Sequence, residues 1–283
     1  MYKIRFGTGA IKDPYDIRDY QYKAPGSVLG LFAEPFEWKT GFDIEEKIGY
    51  KLVTKDQGRS FSCGGTAWAY YGEVLETLVT KDYEPRSARW IYSHTFAPGG
   101  GSHGKDNCDH CIKKGWALEK LVTSYDNGQS PSEAFMTRRP IITSAIIEDT
   151  EINKALSYLQ VTSNIDTFAH AIKENNGLVL AVYGQDNGSW LSEFPTAPTE
   201  RVWAHWIYAG RAKMIDGKKY IGVKNSWGNV GNDGWQWIGE DYFNTNNVWY
   251  GWTLAWDYKP AKTKLLLKEI LKLLQILVGK LRK

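Results

Sequence analysis

The sequence predicts an α+β fold, with helices in the first half of the chain and an antiparallel sheet in the second. Over residues 63–80, apolar side chains recur at steps of three and four, which is the period of a buried helix. After Gly177 the pattern changes to short apolar and aromatic runs at 178–184, 203–212 and 219–227, separated by turn sequences. Helices that precede strands in this way, rather than alternating with them, distinguish the α+β class from the α/β class.

The remaining elements follow from weaker signals. Further helices are expected at 86–97, 105–121, 151–158 and 165–175, and a further strand around 235–238. Residues 1–50 have no sustained period, so we expect an extended arm there with one or two short strands. The domain prediction is this arm, which is a candidate short pro-segment, then a body over 51–258 and an amphipathic helix over 259–283.

Composition limits the classes of partner. The 283 residues are 42% hydrophobic and include 13 Trp and 17 Tyr, which is ample material for a core. The net charge is +3, but residues 262–283 alone carry +6, so that residues 1–261 carry −3. Because a nucleic-acid interface needs a basic surface, we expect no nucleic-acid partner for the body. The first residues do not resemble a signal peptide, and no apolar run reaches the length of a membrane span, so localisation stays open.

The C-terminal segment 262–283 is basic and amphipathic. Leu267, Ile270, Leu274, Leu277 and Leu281 follow a 3-4-3-4 spacing. One interpretation is self-association, in which this helix docks on its own body or on a sister chain, including as a short coiled coil. The other is binding to an anionic membrane surface.

Cys63 is the first candidate for chemistry. A thiol becomes a good nucleophile when a neighbouring imidazole or a helix N-terminus stabilises the thiolate. Cys63 directly precedes the predicted helix, whose dipole favours an anion at that end. The chain has three cysteines, and this odd number argues against a disulfide framework.

Three polar residues could complete the site around this thiol. His205 lies in a predicted strand and could serve as general base. Asn225 lies between two aromatic segments and could accept a hydrogen bond from the imidazole, which would orient the ring. Gln57, six residues before Cys63, could donate an amide N–H to an oxyanion.

Cys108 and Cys111 form a separate CxxC motif, with His103 and His110 nearby. A zinc site, a disulfide and reduced thiols in the core are the three interpretations. Structural zinc needs four ligands and a single CxxC supplies two, so reduced buried thiols are favoured. We therefore expect no metal and no cofactor.

Three segments resemble the catalytic segments of papain and the cathepsins. Gln57-Gly58, followed by Ser62-Cys63 and a helix, resembles their cysteine segment. Ala204-His205-Trp206-Ile207 resembles their histidine strand, and Lys224-Asn225-Ser226-Trp227-Gly228 their asparagine segment. The 142 residues between Cys63 and His205 fall within the spacing of about 130–150 found in this family. The resemblance covers roughly residues 50–245.

The resemblance implies a papain-like fold of two subdomains: a helical half that begins at Cys63 and a β-rich half that carries His205 and Asn225. It assigns Cys63 as nucleophile, His205 as base, Asn225 as the orienting residue and Gln57 as oxyanion donor. The substrate-binding residues that it implies are Gly100, Gly101, Ser102, His103, Ala204 and Trp227. Among these, the glycine pair would bind the substrate backbone, and Trp227 would shield the bond between His205 and Asn225.

The chain also departs from the usual family pattern. Ser60 stands where the family has a cysteine of a structural disulfide, and Gly64 stands where it has Trp after the nucleophile. Residues 1–50 are too short and too poor in helical period for us to expect the large helical pro-segment of the family there. These features resemble the divergent bacterial and viral branch of the family.

The sequence therefore predicts a cysteine endopeptidase that hydrolyses peptide bonds through an acyl-enzyme. Its partner would be a peptide or protein substrate. Two alternatives remain at this stage: an amidase or peptidoglycan hydrolase on the same scaffold, and a catalytically dead binding module.

Overall fold

The computed structural model describes residues 7–17, 19, 21–22 and 35–255. The described helices are α1 (Ile44–Ile48), α2 (Cys63–Thr80), α3 (Ala88–Thr95), α4 (Gly104–Lys113), α5 (Glu133–Thr137), α6 (Ser144–Ile152), α7 (Ile165–Asn175) and α8 (Glu240–Asn244). The described strands are β1 (Ala10–Ile11), β2 (Phe42–Asp43), β3 (Ser102–His103), β4 (Ser157–Thr162), β5 (Leu178–Gly184), β6 (Trp203–Ile215), β7 (Lys218–Lys224), β8 (Trp235–Gly239) and β9 (Val248–Ala255).

Helix α2 forms the centre of the helical half. Nearly all of its 18 residues are buried, so it is covered on every side rather than along one stripe. The Trp116 indole donates a hydrogen bond to the Trp68 carbonyl, 2.8 Å away. A Cβ at Gly72 would lie 2.5 Å from the Trp116 ring, so glycine at this position allows the indole to lie directly on the helix backbone.

The β-rich half is a seven-stranded antiparallel sheet. Six strands follow the order β4-β9-β5-β6-β7-β8, and β2 pairs with β6. One core lies between this sheet and α2, and a second core lies between the opposite face of the sheet and α7. Since β6 is central and long, it contacts both neighbouring strands and also α2.

Several predicted elements are confirmed at their bounds, namely α2, α7 and β5, together with the antiparallel order of β5 to β8. The helix predicted at 105–121 was too long, because α4 ends at Lys113 and Gly115 adopts a positive φ of 67°. The helix predicted at 151–158 was wrong: α6 ends at Ile152, and the chain then enters β4.

Several elements were not anticipated, namely α1, β3, α5, β4, α8 and β9. Two of them contribute to the core or extend the sheet. The first is α1, which lies within the segment predicted as an extended arm and contributes Ile44 and Ile48 to the core. The second is β9, which pairs with β4 and β5. The alternation in β4 is weak because it is an edge strand, and its conformation is set by pairing with β9 rather than by local propensity.

The C-terminal helix predicted at 259–283 lies outside the described residues and stays a prediction, as do the roles proposed for 262–283. Within the described part of the chain, the helices are too short or too polar to cross a membrane.

A buried ion pair joins α2 to the segment that leads to Gln57. Glu73 is fully buried, and its Oε1 lies 2.8 Å from Lys55 Nζ and accepts the Arg86 backbone N–H. The Tyr83 hydroxyl donates to the other carboxylate oxygen. Removal of one partner from such a pair leaves an uncompensated buried charge.

We therefore expect Glu73→Gln to lower the free energy of unfolding by about 3–5 kcal/mol, because the Lys55 ammonium loses its counter-charge in the core. Urea unfolding followed by far-UV circular dichroism measures this change. Asp109→Asn is the matched control, since it breaks the exposed Asp109–Lys113 pair and should cost about 1 kcal/mol or less. Equal losses in the two variants would contradict the assignment.

Candidate active site

Cys63 is the first residue of α2, and its side chain is fully buried. Burial raises the pKa of the Cys63 thiol to about 11. Backbone hydrogen bonds from Trp206, Gly9 and Gly64 act in the opposite direction, since N–H groups that point at sulfur favour the thiolate. The thiol therefore has a prepared anion site, but water does not reach it in this conformation.

His205 lies on β6, one residue before the Trp206 backbone group that bonds to the thiol. Its Nε2 is 3.0 Å from Asn225 Oδ1. Its other ring nitrogen, Nδ1, is buried without a hydrogen-bond partner among the described residues. Burial lowers the pKa of the His205 imidazole to about 4, and the bond to Asn225 opposes this only in part. The ring is therefore neutral in this conformation.

The hydrogen bonds of Asn225 fix the tautomer of this ring. Asn225 Oδ1 also accepts from the Ser226 backbone N–H at 2.7 Å, and a backbone N–H can only donate, so this atom must be the amide oxygen. His205 Nε2 must then carry the proton that it donates to Asn225. The remaining lone pair is on Nδ1, which makes this unpartnered atom the basic one.

Two further residues hold this pair in place. Asn225 Nδ2 donates to Gln236 Oε1 at 2.6 Å, and the Gln236 amide in turn donates to two backbone carbonyls. Trp227 is 2% exposed, and its ring centroid lies 4.7 Å from that of His205. The indole thus covers the ring and keeps water from the bond between His205 and Asn225.

The hydrogen bonds of the Gln57 side chain define the orientation of its amide. Its Oε1 accepts from the Ser226 hydroxyl, 2.5 Å away, so Nε2 is the donor that is directed into the cleft. Nε2 donates to the Ser60 carbonyl at 2.7 Å and to the Gly7 carbonyl at 3.1 Å. The amide that the sequence analysis assigned to an oxyanion therefore donates to two backbone carbonyls here, those of Ser60 and Gly7.

The Gly7 carbonyl belongs to the N-terminal arm, which crosses the cleft. Trp227 Nε1 also donates to the Gly7 carbonyl at 3.2 Å, and the Ser102 N–H donates to the Gly9 carbonyl at 2.9 Å. Strand β1 then pairs in parallel with β3. At the thiol itself the arm presents the Gly9 N–H, which is not an electrophile, so the arm occupies the site without offering sulfur a carbonyl carbon to attack.

A buried carboxylate anchors the arm beyond the cleft. Asp13 accepts hydrogen bonds from the Tyr250 hydroxyl at 2.8 Å, from Trp252 Nε1 at 3.1 Å and from the Lys105 N–H at 2.9 Å. The Lys105 ammonium then pairs with Asp16 and Asp19 of the same arm. Three donors on one carboxylate and two ion pairs fix the arm against α4 and β9.

Of the residues that the resemblance assigned to substrate binding, Gly101, Ser102, His103 and Trp227 contact this arm, and Gly100 lies against the Phe61 ring. Ser102 and His103 form β3, and His103 Nδ1 lies 3.1 Å from the Lys12 carbonyl. A Cβ at Gly101 would lie 2.4 Å from the Gly9 carbonyl oxygen. Ala204 instead lies within the β5–β6 ladder, where it pairs with Tyr183.

Sequence reasoning did not identify Tyr92, Glu133, Gln236 or Phe61 as site residues. The Tyr92 hydroxyl accepts the Gly101 N–H at 2.8 Å and donates to Glu133 at 2.7 Å. Gln236 had a usable signal, since a polar residue between Trp235 and Trp237 in a buried strand needs a partner. The other three lie in patterns that are ordinary for helices and loops.

The CxxC motif lies apart from this site, on α4. Cys108 and Cys111 are both buried and free, and burial raises the pKa of each thiol. Within the described residues no group of three or more His, Cys, Asp or Glu side chains is arranged to hold a metal ion. The two thiols contribute to the core between α2 and the sheet.

Comparison with solved structures identifies the class of fold as papain-like. Xylellain, a cysteine protease from Xylella fastidiosa, superposes with a TM-score of 0.70 at 22% identity, over 89% of this chain and 97% of that one. Procathepsin B S9 from Trypanosoma congolense superposes with a TM-score of 0.63 at 14% identity, over 88% of this chain and 85% of that one. Bromelain from Ananas comosus, solved with the E64 inhibitor, superposes with a TM-score of 0.60 at 19% identity, over 77% of this chain and 99% of that one.

At these identities the likeness concerns the fold, and it confirms the predicted papain-like α+β architecture. No family model matches the chain. No curated protein matches it either.

The buried environment of His205 leads to a testable titration. Because the pKa is lowered to about 4, the ring should stay neutral from neutral pH down to that value and gain its proton only below it. NMR of the imidazole C–H signals, assigned with a His205→Gln variant, measures the midpoint in the full chain. A midpoint at or above 6.5 would mean that water already reaches the ring.

Proposed function

We propose that this protein is a cysteine endopeptidase in which Cys63 is the nucleophile and His205 the base. The observation that carries the proposal is the unpartnered Nδ1 of His205. It is the basic nitrogen of a ring whose other nitrogen is bonded to Asn225, and the next residue, Trp206, donates to the thiol. A buried nitrogen left without a partner is costly, and a role in proton transfer accounts for it.

The first half of the proposed reaction forms an acyl-enzyme. The Cys63 proton moves to His205 Nδ1, and the resulting thiolate attacks the carbonyl carbon of a peptide. The electron pair of the C=O π bond moves to oxygen, where the Gln57 amide and the Cys63 N–H stabilise the charge. The C–N bond then breaks, and His205 Nδ1 returns its proton to the leaving amine.

The second half releases the product. His205 Nδ1 takes a proton from water, and the hydroxide attacks the thioester carbonyl. The C–S bond breaks, the carboxylic acid departs, and the proton on His205 restores the thiol or remains as the imidazolium of an ion pair. Asn225 keeps the ring in the one tautomer that both halves need. This sequence of steps requires no metal and no cofactor.

We further propose that the arm within residues 1–50 acts as a short pro-segment for the body over 51–258. It occupies the Gln57 donor through Gly7 and covers the thiol with Gly9. Its contacts also keep water from Cys63 and His205, whose pKa values of about 11 and about 4 favour the neutral pair. Removal of the arm would hydrate both groups and shift them toward the thiolate and imidazolium.

We expect Gly9→Val to activate the full-length chain. A Cβ at this position would lie 2.1 Å from the Phe61 carbonyl oxygen, so valine must displace the arm. The rate of Cys63 alkylation by iodoacetamide at pH 7, followed by intact mass, should rise by about tenfold or more, the factor that an overpacking cost above 1.4 kcal/mol implies. Tyr15→Ala, at a side chain 90% exposed on the same arm, should leave the rate unchanged. Equal rates for all three proteins would exclude the arm as an inhibitor.

In the Gly9→Val background, we expect a peptidyl epoxide to modify Cys63 and fluorogenic peptides to be hydrolysed. Cys63→Ala should abolish hydrolysis, because no acyl-enzyme can form. Gln57→Ala should lower kcat by about 10²–10³, the usual loss when one oxyanion donor is removed. Turnover that survives Cys63→Ala would refute the proposal. Cleavage of muropeptides in place of peptides would favour the amidase alternative, and peptide binding without cleavage would favour a non-catalytic module.

A further inference from the structure

Next to the thiol, one wall of the cleft meets the arm at backbone contact distance. This wall is the segment Ser60–Phe61. A Cβ at Gly9 would lie 2.1 Å from the Phe61 carbonyl oxygen and 2.9 Å from Phe61 Cβ, and a Cβ at Gly7 would lie 1.7 Å from the Ser60 carbonyl oxygen. No side chain fits at these positions unless the wall moves.

The Phe61 ring reaches from this wall to the facing one. A Cβ at Gly100 would lie 2.4 Å from Phe61 Cδ2, so the ring lies against the glycine backbone. The side chain is 38% exposed, so it does not fill the core. Its position instead closes the gap between the two walls beside Gly9.

A chain of hydrogen bonds holds the walls at this spacing. The Phe61 N–H donates to Glu133 Oε2 at 2.7 Å, and the Tyr92 hydroxyl donates to Glu133 Oε1 at 2.7 Å. The Gly101 N–H, on the facing wall, donates to the same hydroxyl at 2.8 Å. The two ends of this chain are backbone N–H groups of the two walls, and the side chains of Glu133 and Tyr92 connect them, so these bonds oppose widening of the cleft.

We propose that Phe61 restricts the residue whose carbonyl is attacked to glycine, so that the substrates are glycine-containing peptides. The inference rests on the proposed peptidase function. Any substrate must bring its carbonyl carbon to Cys63 Sγ, so the residue that carries this carbonyl must enter the gap between Ser60–Phe61 and Gly100–Gly101 in which the arm now lies. A side chain on that residue would meet the Phe61 ring, which lies across this gap against the Gly100 backbone, whereas glycine has no side chain to accommodate.

The test uses the full chain with Gly9→Val, alone and combined with Phe61→Ala. The substrates are internally quenched octapeptides that differ only in one central residue, which is Gly, Ala, Leu or Phe, and mass spectrometry locates the cleaved bond. We expect kcat/KM for glycine to exceed that for Leu and Phe by about tenfold or more, as overpacking costs imply. Phe61→Ala should reduce this ratio by about tenfold. Phe194→Ala, at another half-exposed aromatic residue, which packs against Tyr220 of β7, is the matched control and should leave the ratio unchanged.

Binding to the Cys63→Ala form of the same chain separates this inference from the proposed function. Glycine-selective binding that Phe61→Ala relaxes, without any Cys63-dependent cleavage, would refute the peptidase and keep the role of Phe61. The role of Phe61 would be overturned if kcat/KM for the glycine peptide were about equal to that for the phenylalanine peptide. It would also be overturned if the glycine peptide were neither bound nor cleaved. Cleavage that depends on Cys63 but shows no preference for glycine would contradict the role of Phe61 and support the proposed peptidase activity.

Discussion

The hydrogen bond between His205 Nε2 and Asn225 Oδ1 determines the chemistry that the rest of the site can perform. It fixes the proton on one ring nitrogen and leaves the lone pair on the other. Its geometry depends on two bonds made by Asn225 itself, from the Ser226 N–H and to Gln236, and both belong to the turn between β7 and β8 or to β8 itself. The pairing of β6, β7 and β8 is therefore a condition for the basic nitrogen of His205, the residue before the Trp206 backbone group that bonds to Cys63.

Burial then decides the protonation state of the pair. The arm covers Cys63 and His205, and loss of water penalises both charged forms, so that the thiol pKa rises to about 11 and the imidazole pKa falls to about 4. The helix terminus and the backbone donors around sulfur favour a thiolate, but they do not outweigh this burial. In our proposal the same residues serve an inactive and an active state, and only solvation differs between the two.

The arm and the cleft are fitted to each other through glycine on both sides. Gly7 and Gly9 approach the carbonyls of Ser60 and Phe61, and Gly101 approaches the Gly9 carbonyl in turn. Close backbone approach of this kind gives a thin cleft, which the bonds among Phe61, Glu133, Tyr92 and Gly101 keep narrow. The proposed inhibition by the arm and the proposed glycine preference thus follow from the same wall.

The sequence by itself determined the α+β class, the bounds of α2, α7 and β5, and the candidates Cys63, His205, Asn225 and Gln57. These depend on local periodicity or on short motifs with a defined chemical role, which survive in a linear chain. Only the tertiary structure decided that 157–162 is a strand, that Gln236 supports Asn225, and that Gly9 lies on the thiol. Each of these depends on contacts between residues far apart in sequence: β4 needs β9, Gln236 needs the β7–β8 pairing, and the arm needs a folded cleft to cross. Local propensity carries no information on such contacts, because their free energy arises only when the distant partners are brought together.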